Sequence, residues 1–395
     1  MSKTLALLSG KGGSGKTSLA LSIATMLNDC DIKVLLVDCD LSTNGATYFF
    51  ESKLPDDANK TTSFYDIIFN YSNGNYNFIN ISKCFDFLPS ISQISKDNTV
   101  TYSYRPKEAS EWENFYEQVC KKYDVILFDC QAGYTDILKK ILPAIDINLF
   151  VMEADAISSA AIRSLYLKIG SFINKKKTYQ LFNKVTEEEY EMYSKLSGGT
   201  FFTNIGSIIF DWKIRKAFSI AQIPDMKNTS AHYGKQIYDV CNILFTDKTV
   251  QENLQKFELV IKMNEKNESE KKTLAKLQKL EEEQNSITKK YTKGIFGIIV
   301  LGSAFLAIVT FFILVNRGFV HDLFDNADFL MSGVAISISA LASVIINYLN
   351  IYSLTKDRRR KYREIEQYED ILRTLQIEKE RITSQIKTSG LDITD

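Results

Sequence analysis

Short apolar runs alternate with helical stretches from Met1 to about Asp247. Thr4–Gly10 is an apolar run closed by glycine, as a buried parallel strand is, and Thr17–Asp29 follows with helical periodicity. Lys33–Asp40, Phe85–Ser90, Tyr123–Cys130, Ile147–Glu153 and Thr178–Lys184 read as further strands, with a helix after Glu153 through about Gly170. This rhythm predicts an α/β fold: a doubly wound, mostly parallel sheet with helices on both faces.

The pattern changes near Thr249. From there to Lys293 the chain is rich in Glu, Lys, Gln and Asn and carries neither proline nor glycine. Val250, Leu254, Phe257 and Ile261 step by four and three, as a coiled-coil seam does; the seam lapses through Asn264–Lys272 and returns at Leu280, Ile287 and Tyr291. Gly294–Val315 holds no charge and is long enough to cross a bilayer. A loop leads to a second apolar stretch, Phe329–Leu354, more polar at its end, where Asn347, Tyr348, Asn350 and Tyr352 cluster. Beyond it Ile365, Tyr368, Leu372, Leu375, Ile382 and Ile386 hold a heptad seam, with Lys379 at its one polar step. The expected layout is an α/β domain over 1–247, a coiled-coil helix over 248–293, spans over 294–316 and 329–354 joined by a loop at 317–328, and a closing coiled-coil helix with tail over 355–395. Coiled-coil helices thus flank a two-helix transmembrane hairpin.

Charge sets the orientation. Lys289, Lys290 and Lys293 precede the first span, and Lys356, Arg358, Arg359, Arg360, Lys361 and Arg363 follow the second. The connecting loop has Arg317 against Asp322, Asp325 and Asp328. Both termini are therefore expected in the cytoplasm, with the chain crossing the membrane twice. The chain as a whole is balanced, with 48 basic and 48 acidic residues, so there is no global electrostatic case for nucleic acid as a partner, and a local patch stays open. Cys30, Cys39, Cys84, Cys120, Cys130 and Cys241 form no CxxC pair and read as reduced thiols, most of them in the core. The apolar run at the start is too short for a signal peptide and leads into a glycine loop.

The glycine loop carries the chemistry. Gly10, Lys11, Gly12, Gly13, Ser14, Gly15, Lys16, Thr17 and Ser18 fit the P-loop pattern between a strand and a helix, the context that pattern requires. Its backbone amides would surround phosphates, Lys16 would reach the β- and γ-phosphates, and Thr17 would bind Mg²⁺. Two carboxylates at the end of one strand, Asp38 and Asp40, suit a site in the crevice above the sheet. Asp129, after four apolar residues, suits a metal carboxylate at another strand end.

Lys11, the second lysine of the loop, makes this a deviant Walker A motif, and here the chain resembles the ParA/MinD family of P-loop ATPases. The resemblance runs from Met1 to about Leu244. It implies ATP and Mg²⁺ as cofactors and a homodimer sandwiching two ATP molecules, with Lys11 reaching the partner's nucleotide. It implies that Asp40 orients or activates the attacking water, that Asp38 supports the metal site, and that Asp129 holds Mg²⁺ through water. It also makes Gly133 a hinge that follows the γ-phosphate. Leu181–Val185 resembles the base-recognition strand, with Asn183 on the purine. Ile209–Asp225 resembles the segment passing the adenine, which would set Pro224 and Asp225 against the base. Asn183 lacks the aspartate that would read guanine, so ATP is favoured over GTP.

The sequence departs from the family in its second switch, CQAGYTD, and in having two spans between coiled coils. The expected function is a membrane-anchored ATPase, an ATP-dependent dimerisation switch that positions or signals to an unidentified protein partner. Two alternatives stay open. One is a membrane effector or sensor of antiviral defence gated by ATP state. The other is a tyrosine-kinase-like regulator of surface polysaccharide, although such kinases carry the hairpin ahead of the kinase and end in a tyrosine-rich tail.

Overall fold

A computed structural model describes residues 2–55, 60–69, 74–92, 111–196, 202–224, 226, 231–316 and 327–389. Eight strands form one sheet: β1 (Lys3–Leu8), β2 (Val34–Cys39), β3 (Ile79–Ser82), β4 (Phe85–Leu88), β5 (Val125–Cys130), β6 (Ile147–Met152), β7 (Thr178–Val185) and β8 (Thr203–Ile209). Their order is β3-β4-β2-β5-β1-β6-β7-β8, and every pair is parallel except the β3–β4 edge. All residues of β2, β5 and β6 are buried, which explains why these strands read as unbroken apolar runs. The two sheet faces feed separate cores by strict alternation. Leu5, Leu7, Leu36, Leu127 and Leu149 point to one, and Ala6, Leu8, Leu35, Phe128 and Phe150 to the other.

The helices follow from that division. On the first face lie α1 (Lys16–Asp29) and, late in the chain, α9 (Ala231–Leu244). The second face is covered by α3 (Phe64–Phe69), α4 (Glu111–Lys122), α5 (Asp136–Ile141) and α6 (Ala156–Ile169), with α2 (Gly45–Phe49) leading off from the end of β2. α7 (Glu187–Leu196) and α8 (Trp212–Ser219) follow β7 and β8. The strands expected from the sequence are present within two residues of their anticipated ends. β3 and β8 add to them. The described cysteines are free thiols, four of them buried.

Two long helices complete the described chain: α10 (Lys248–Asn316) and α11 (Ala327–Ser389). The molecule divides into two compact units, one of residues 1–265 with 382–395 and one of residues 266–381. The first unit runs past the boundary expected at residue 247. Val250, Leu254, Phe257 and Ile261 are buried in the same core as α1 and α9, so this seam serves the head domain and not a coiled coil. Helical periodicity marks a buried stripe without saying what buries it.

The second unit is an antiparallel helix pair. Lys266 meets Glu378 at 2.5 Å, Glu270 meets Lys379 at 2.6 Å, and Glu283 meets Lys361 at 2.8 Å. Further along, Arg358 stacks on Tyr291, and Ile351 lies against Gly294. From Lys266 to Gly294 on α10 the partners on α11 run back from Glu378 and Lys379 to Ile351, as an antiparallel pairing requires. On α11 the expected heptad face is the covered one: Ile365 and Leu375 are buried, and Tyr368, Leu372 and Lys379 are half-buried. The polar step at Lys379 is matched by Glu270. Both helices contain a window apolar and long enough to cross a membrane, of mean hydropathy 2.4 and 1.5, and neither window has a buried residue. The expected loop at 317–328 lies outside the described residues, except for its last two positions, which open α11.

Candidate nucleotide and metal site

β1 is flanked by β5 and β6, so the loop leaving its carboxyl end opens onto the crevice where strand connections diverge to opposite sides. Ser9 Oγ donates to the Lys11 carbonyl at 2.8 Å, and the Gly133 amide, at φ +78°, donates to the Ser9 carbonyl at 2.8 Å. Gly15 precedes α1 at φ +84°, a left-handed conformation that favours glycine. A Cβ there would stand 2.4 Å from Asn183 Nδ2. The helix begins at Lys16, which is buried, with Thr17 next to it. Its free amides and dipole favour an anion at this end.

Asp129 lies on β5 beside Leu7 of β1. It is buried, and neither carboxylate oxygen has a hydrogen-bond partner among the described residues. Burial pushes its pKa up to about 6, against the Lys16 charge and the Thr17 hydroxyl, which hold it down. The Ser14 hydroxyl is likewise buried and unpartnered. A buried, unsatisfied carboxylate next to a hydroxyl is costly alone and fits an oxygen-preferring cation. Thr17 and Asp129 therefore fit a magnesium site. Among the described residues no cluster of three or more His, Cys, Asp or Glu forms a metal site on its own, so water and phosphate would supply the other ligands.

Asp38 and Asp129 are direct neighbours across β2 and β5. Asp38 is committed to holding its own loop. Its carboxylate accepts from the Asp40 amide at 3.1 Å, the Thr47 amide at 2.9 Å and the Thr47 hydroxyl at 2.7 Å. Burial and the Asp129 charge raise its pKa to about 7, against the Thr47 bonds. Three of its roughly four acceptor positions are thus taken. Asp40 folds the loop that follows: it accepts from the Ser42 and Thr43 amides at 3.0 and 2.9 Å and from the Thr43 hydroxyl at 2.7 Å.

Lys11 is folded onto its own chain. Its Nζ lies 3.0 Å from Glu153 and 3.0 Å from Asp155, just beyond β6. Both partners raise its pKa. Asp155 also caps α6, accepting from the Ser158 amide and hydroxyl at 2.7 Å each. Burial raises the Asp155 pKa, but the Ser158 and Lys11 bonds outweigh it and bring it down to about 2. Neither acid was singled out from the sequence. Their place just after an apolar strand end was the available signal.

Asn183 is buried at the end of β7 and donates to the Ser14 carbonyl at 2.8 Å. Lys184, at φ +59°, donates to the Gly13 carbonyl at 2.6 Å. Together they brace the P-loop from the neighbouring strand, a contact the sequence reading did not anticipate for Lys184. Both also line a cavity of ≈ 460 Å³ beside the start of α1, with Phe210, Ile214, Arg215 and Tyr233. That volume lies within the range of small-molecule sites. Asn183 thus reaches the space where a base would sit, while its amide hydrogen is spent on the loop. Pro224 is buried and is not part of that lining, and Asp225 lies outside the described residues. Phe210 and Arg215 come from the stretch already compared with the adenine segment, at positions the comparison passed over.

A family model described as AAA domain matches residues 2–181. Among curated proteins none matches the chain. Among solved structures, the septum site-determining protein MinD of Pyrococcus horikoshii OT3, complexed with Mg-ADP, is 17% identical; the match covers 64% of this chain and 99% of that one at a TM-score of 0.51. MinD in the MinC:MinD complex of Aquifex aeolicus matches at 19% identity and TM-score 0.47, over 62% and 97% of the two chains. A putative plasmid partition protein of Borrelia burgdorferi B31, bound to AMPPNP, matches at 18% and 0.46, over 62% and 98%. With a P-loop at the central strand of a parallel sheet and a second lysine in that loop, the chain has the fold of the ParA/MinD-like P-loop ATPases.

Proposed function

We propose that this protein is a membrane-anchored, Mg²⁺-dependent ATP hydrolase whose ATP-bound heads pair, a dimerisation switch that positions or signals to a protein partner at the bacterial inner membrane. The observation that carries the enzymatic part is the unpartnered carboxylate of Asp129, buried beside Lys16 and Thr17 at the mouth of the P-loop. The loop amides and Lys16 bind the phosphates of ATP, Thr17 and Asp129 hold the ion, and the cavity at Phe210 and Arg215 takes the base. The magnesium ion, when bound, neutralises charge on the β- and γ-phosphates. Transfer of the γ-phosphoryl group to water needs positioning and charge stabilisation, with no covalent intermediate. Asp40 orients the water once its bonds to Ser42 and Thr43 are exchanged. Lys11, released from Glu153 and Asp155, reaches the partner's nucleotide.

The membrane part rests on the apolar windows of α10 and α11, in which no residue is buried among the described residues. Their polar groups are satisfied within each helix. Ser303, Thr310, Ser339 and Ser343 donate to carbonyls one turn back at 2.8–2.9 Å, and Asn347 does so at 3.0 Å. A hydrocarbon environment demands such internal satisfaction.

Purified full-length protein should turn over ATP only with Mg²⁺, and Lys16→Ala should lose nucleotide binding. Undiminished binding by that variant removes the P-loop assignment. A thiol introduced at Asp325, in a background without the native cysteines, should react with an impermeant reagent in intact cells. Labelling of the C-terminal tail instead overturns the hairpin topology.

A further inference from the structure

The basic residues at the membrane end of the helix pair do more than set orientation. Among the described residues, Lys289, Lys290 and Lys293 on α10 and Lys356, Arg358, Arg359 and Arg363 on α11 pair with no carboxylate. Their neighbours are neutralised: Arg360 lies 3.8 Å from Asp357, and Lys361 lies 2.8 Å from Glu283.

Arg358 differs from the others in its setting. Its guanidinium lies 5.5 Å from the Tyr291 ring on α10 and 5.5 Å from the Tyr362 ring on α11. One terminal nitrogen donates to the Tyr362 hydroxyl at 3.4 Å, a long bond. Its Nε is buried and has no partner among the described residues. Two aromatic faces thus hold the planar cation and restrict its rotamers, while donors remain to be satisfied. Such a fork matches the two oxygens of a phosphate. Arg358 lies one turn past Leu354, about 6 Å along the helix at 1.5 Å per residue, and Tyr291 precedes Gly294 by under one turn. At the cytoplasmic end of two spans, that depth is the headgroup layer, where tyrosine and basic residues collect.

We propose that Arg358, in its Tyr291–Tyr362 cradle, binds the phosphodiester of an anionic phospholipid, with the unpaired lysines of α10 adding positive charge around it. The inference rests on the membrane reading above. The specific element is the cradle, because loose basic residues near a span attract anionic lipid without selecting one.

The test titrates the full-length protein in detergent with phosphatidylglycerol and, separately, with diacylglycerol, which lacks the phosphodiester, and counts bound lipid by native mass spectrometry. One phosphatidylglycerol per chain should be retained with about tenfold preference, and Arg358→Ala should abolish that preference. Tyr291→Leu keeps every charge and should weaken retention several-fold. Arg359→Ala removes the same charge outside the cradle and should leave retention within about twofold. Helix content by circular dichroism and ATP binding together report whether each variant folds. Equal losses in Arg358→Ala and Arg359→Ala overturn the site in favour of diffuse charge. Inorganic phosphate that binds the wild type as well as the lipid does overturns the lipid assignment. Alkaline extraction of cell membranes separates the two levels. A protein that stays in the membrane yet shows no selectivity sinks this inference alone, whereas one that washes out sinks the membrane reading and this inference together.

Discussion

Asp129→Asn should make the nucleotide-free protein more stable while ending its response to magnesium nucleotide. The carboxylate is buried with neither oxygen bonded, and burial carries its pKa from the ordinary 3.8 to about 6 in spite of Lys16 and Thr17. A raised carboxyl pKa means that between about pH 4 and pH 6 the folded state binds more protons than the unfolded one, so stability falls as pH rises through that window. Above it the full cost is present. Carrying the carboxyl from 3.8 to about 6 costs the ionised form on the order of 3 kcal/mol. The amide has nearly the same shape and no charge, so at about pH 7.5 it recovers much of that cost. For a domain of this size about 2–4 °C follows from each kcal/mol, so the melting temperature in EDTA should rise by roughly 5–10 °C. Adding Mg²⁺ and ATP should raise the melting temperature of the wild type and leave that of the variant almost unmoved. Thermal unfolding followed by circular dichroism, with and without Mg²⁺ and ATP, decides. A variant that melts below the wild type in EDTA would show that the carboxylate is a structural partner after all, and the argument for a metal ligand would lose its basis.

Affinity for magnesium nucleotide should fall as pH drops through about 6, because protonation removes the Asp129 ligand; titration calorimetry across pH 5–8 measures it, and a flat profile is the contrary result. Phe257→Ala should cost the head about 3–5 kcal/mol and release bound ATP near its melting range, since Phe257 is 1% exposed in the core it shares with α1. Leu274→Ala, at a residue 43% exposed on the same helix, should cost under about 0.5 kcal/mol, and comparable losses for both in a denaturant titration would contradict the division at Glu265. Lys11→Ala should bind a non-hydrolysable ATP analogue yet stay monomeric by light scattering, and normal pairing would make Lys11 a bystander.

What the sequence revealed depended on how local the cause was. β1, β2, β5 and β6 are buried on both faces, so each is an apolar run with no polar interruption to confuse it. β3 is a four-residue antiparallel edge that is half exposed, and β8 carries Gly206 at φ +118° and register shifts against β7. Neither keeps a clean alternation. The P-loop and Asp129 were legible because phosphate and metal chemistry fix residue type and spacing along the chain. Glu153 and Asp155 meet Lys11 across more than 140 residues, and no local pattern encodes that encounter. The stripe from Val250 to Ile261 shows the same limit. Its periodicity announced a buried helix face, and only the fold could say that the covering surface is α1 and α9. The heptad on α11 fared better, since its partner is the long apolar-flanked helix that precedes it.

The pairing of Lys11 bears directly on whether a dimerisation switch is workable. A lysine that must cross to a second molecule needs a resting place that is adequate and weak. Glu153 and Asp155 provide one: all three side chains are about a third exposed, and such pairs are worth roughly 0–1 kcal/mol each. Asp155 does not depend on the lysine for its own order, because the Ser158 amide and hydroxyl already hold it at the cap of α6. Losing Lys11 therefore leaves no orphaned buried charge behind. A phosphate offers the ammonium several charged oxygens in a partly enclosed site, where charge-assisted bonds are about twice as strong as neutral ones. In the proposed switch the exchange would be favourable only when a partner's nucleotide is present, and reversible when it leaves. Had Lys11 been sealed into the core like Lys16, opening would have stranded a buried charge at a cost of about 3–5 kcal/mol, and the head would have had no inexpensive route to pairing.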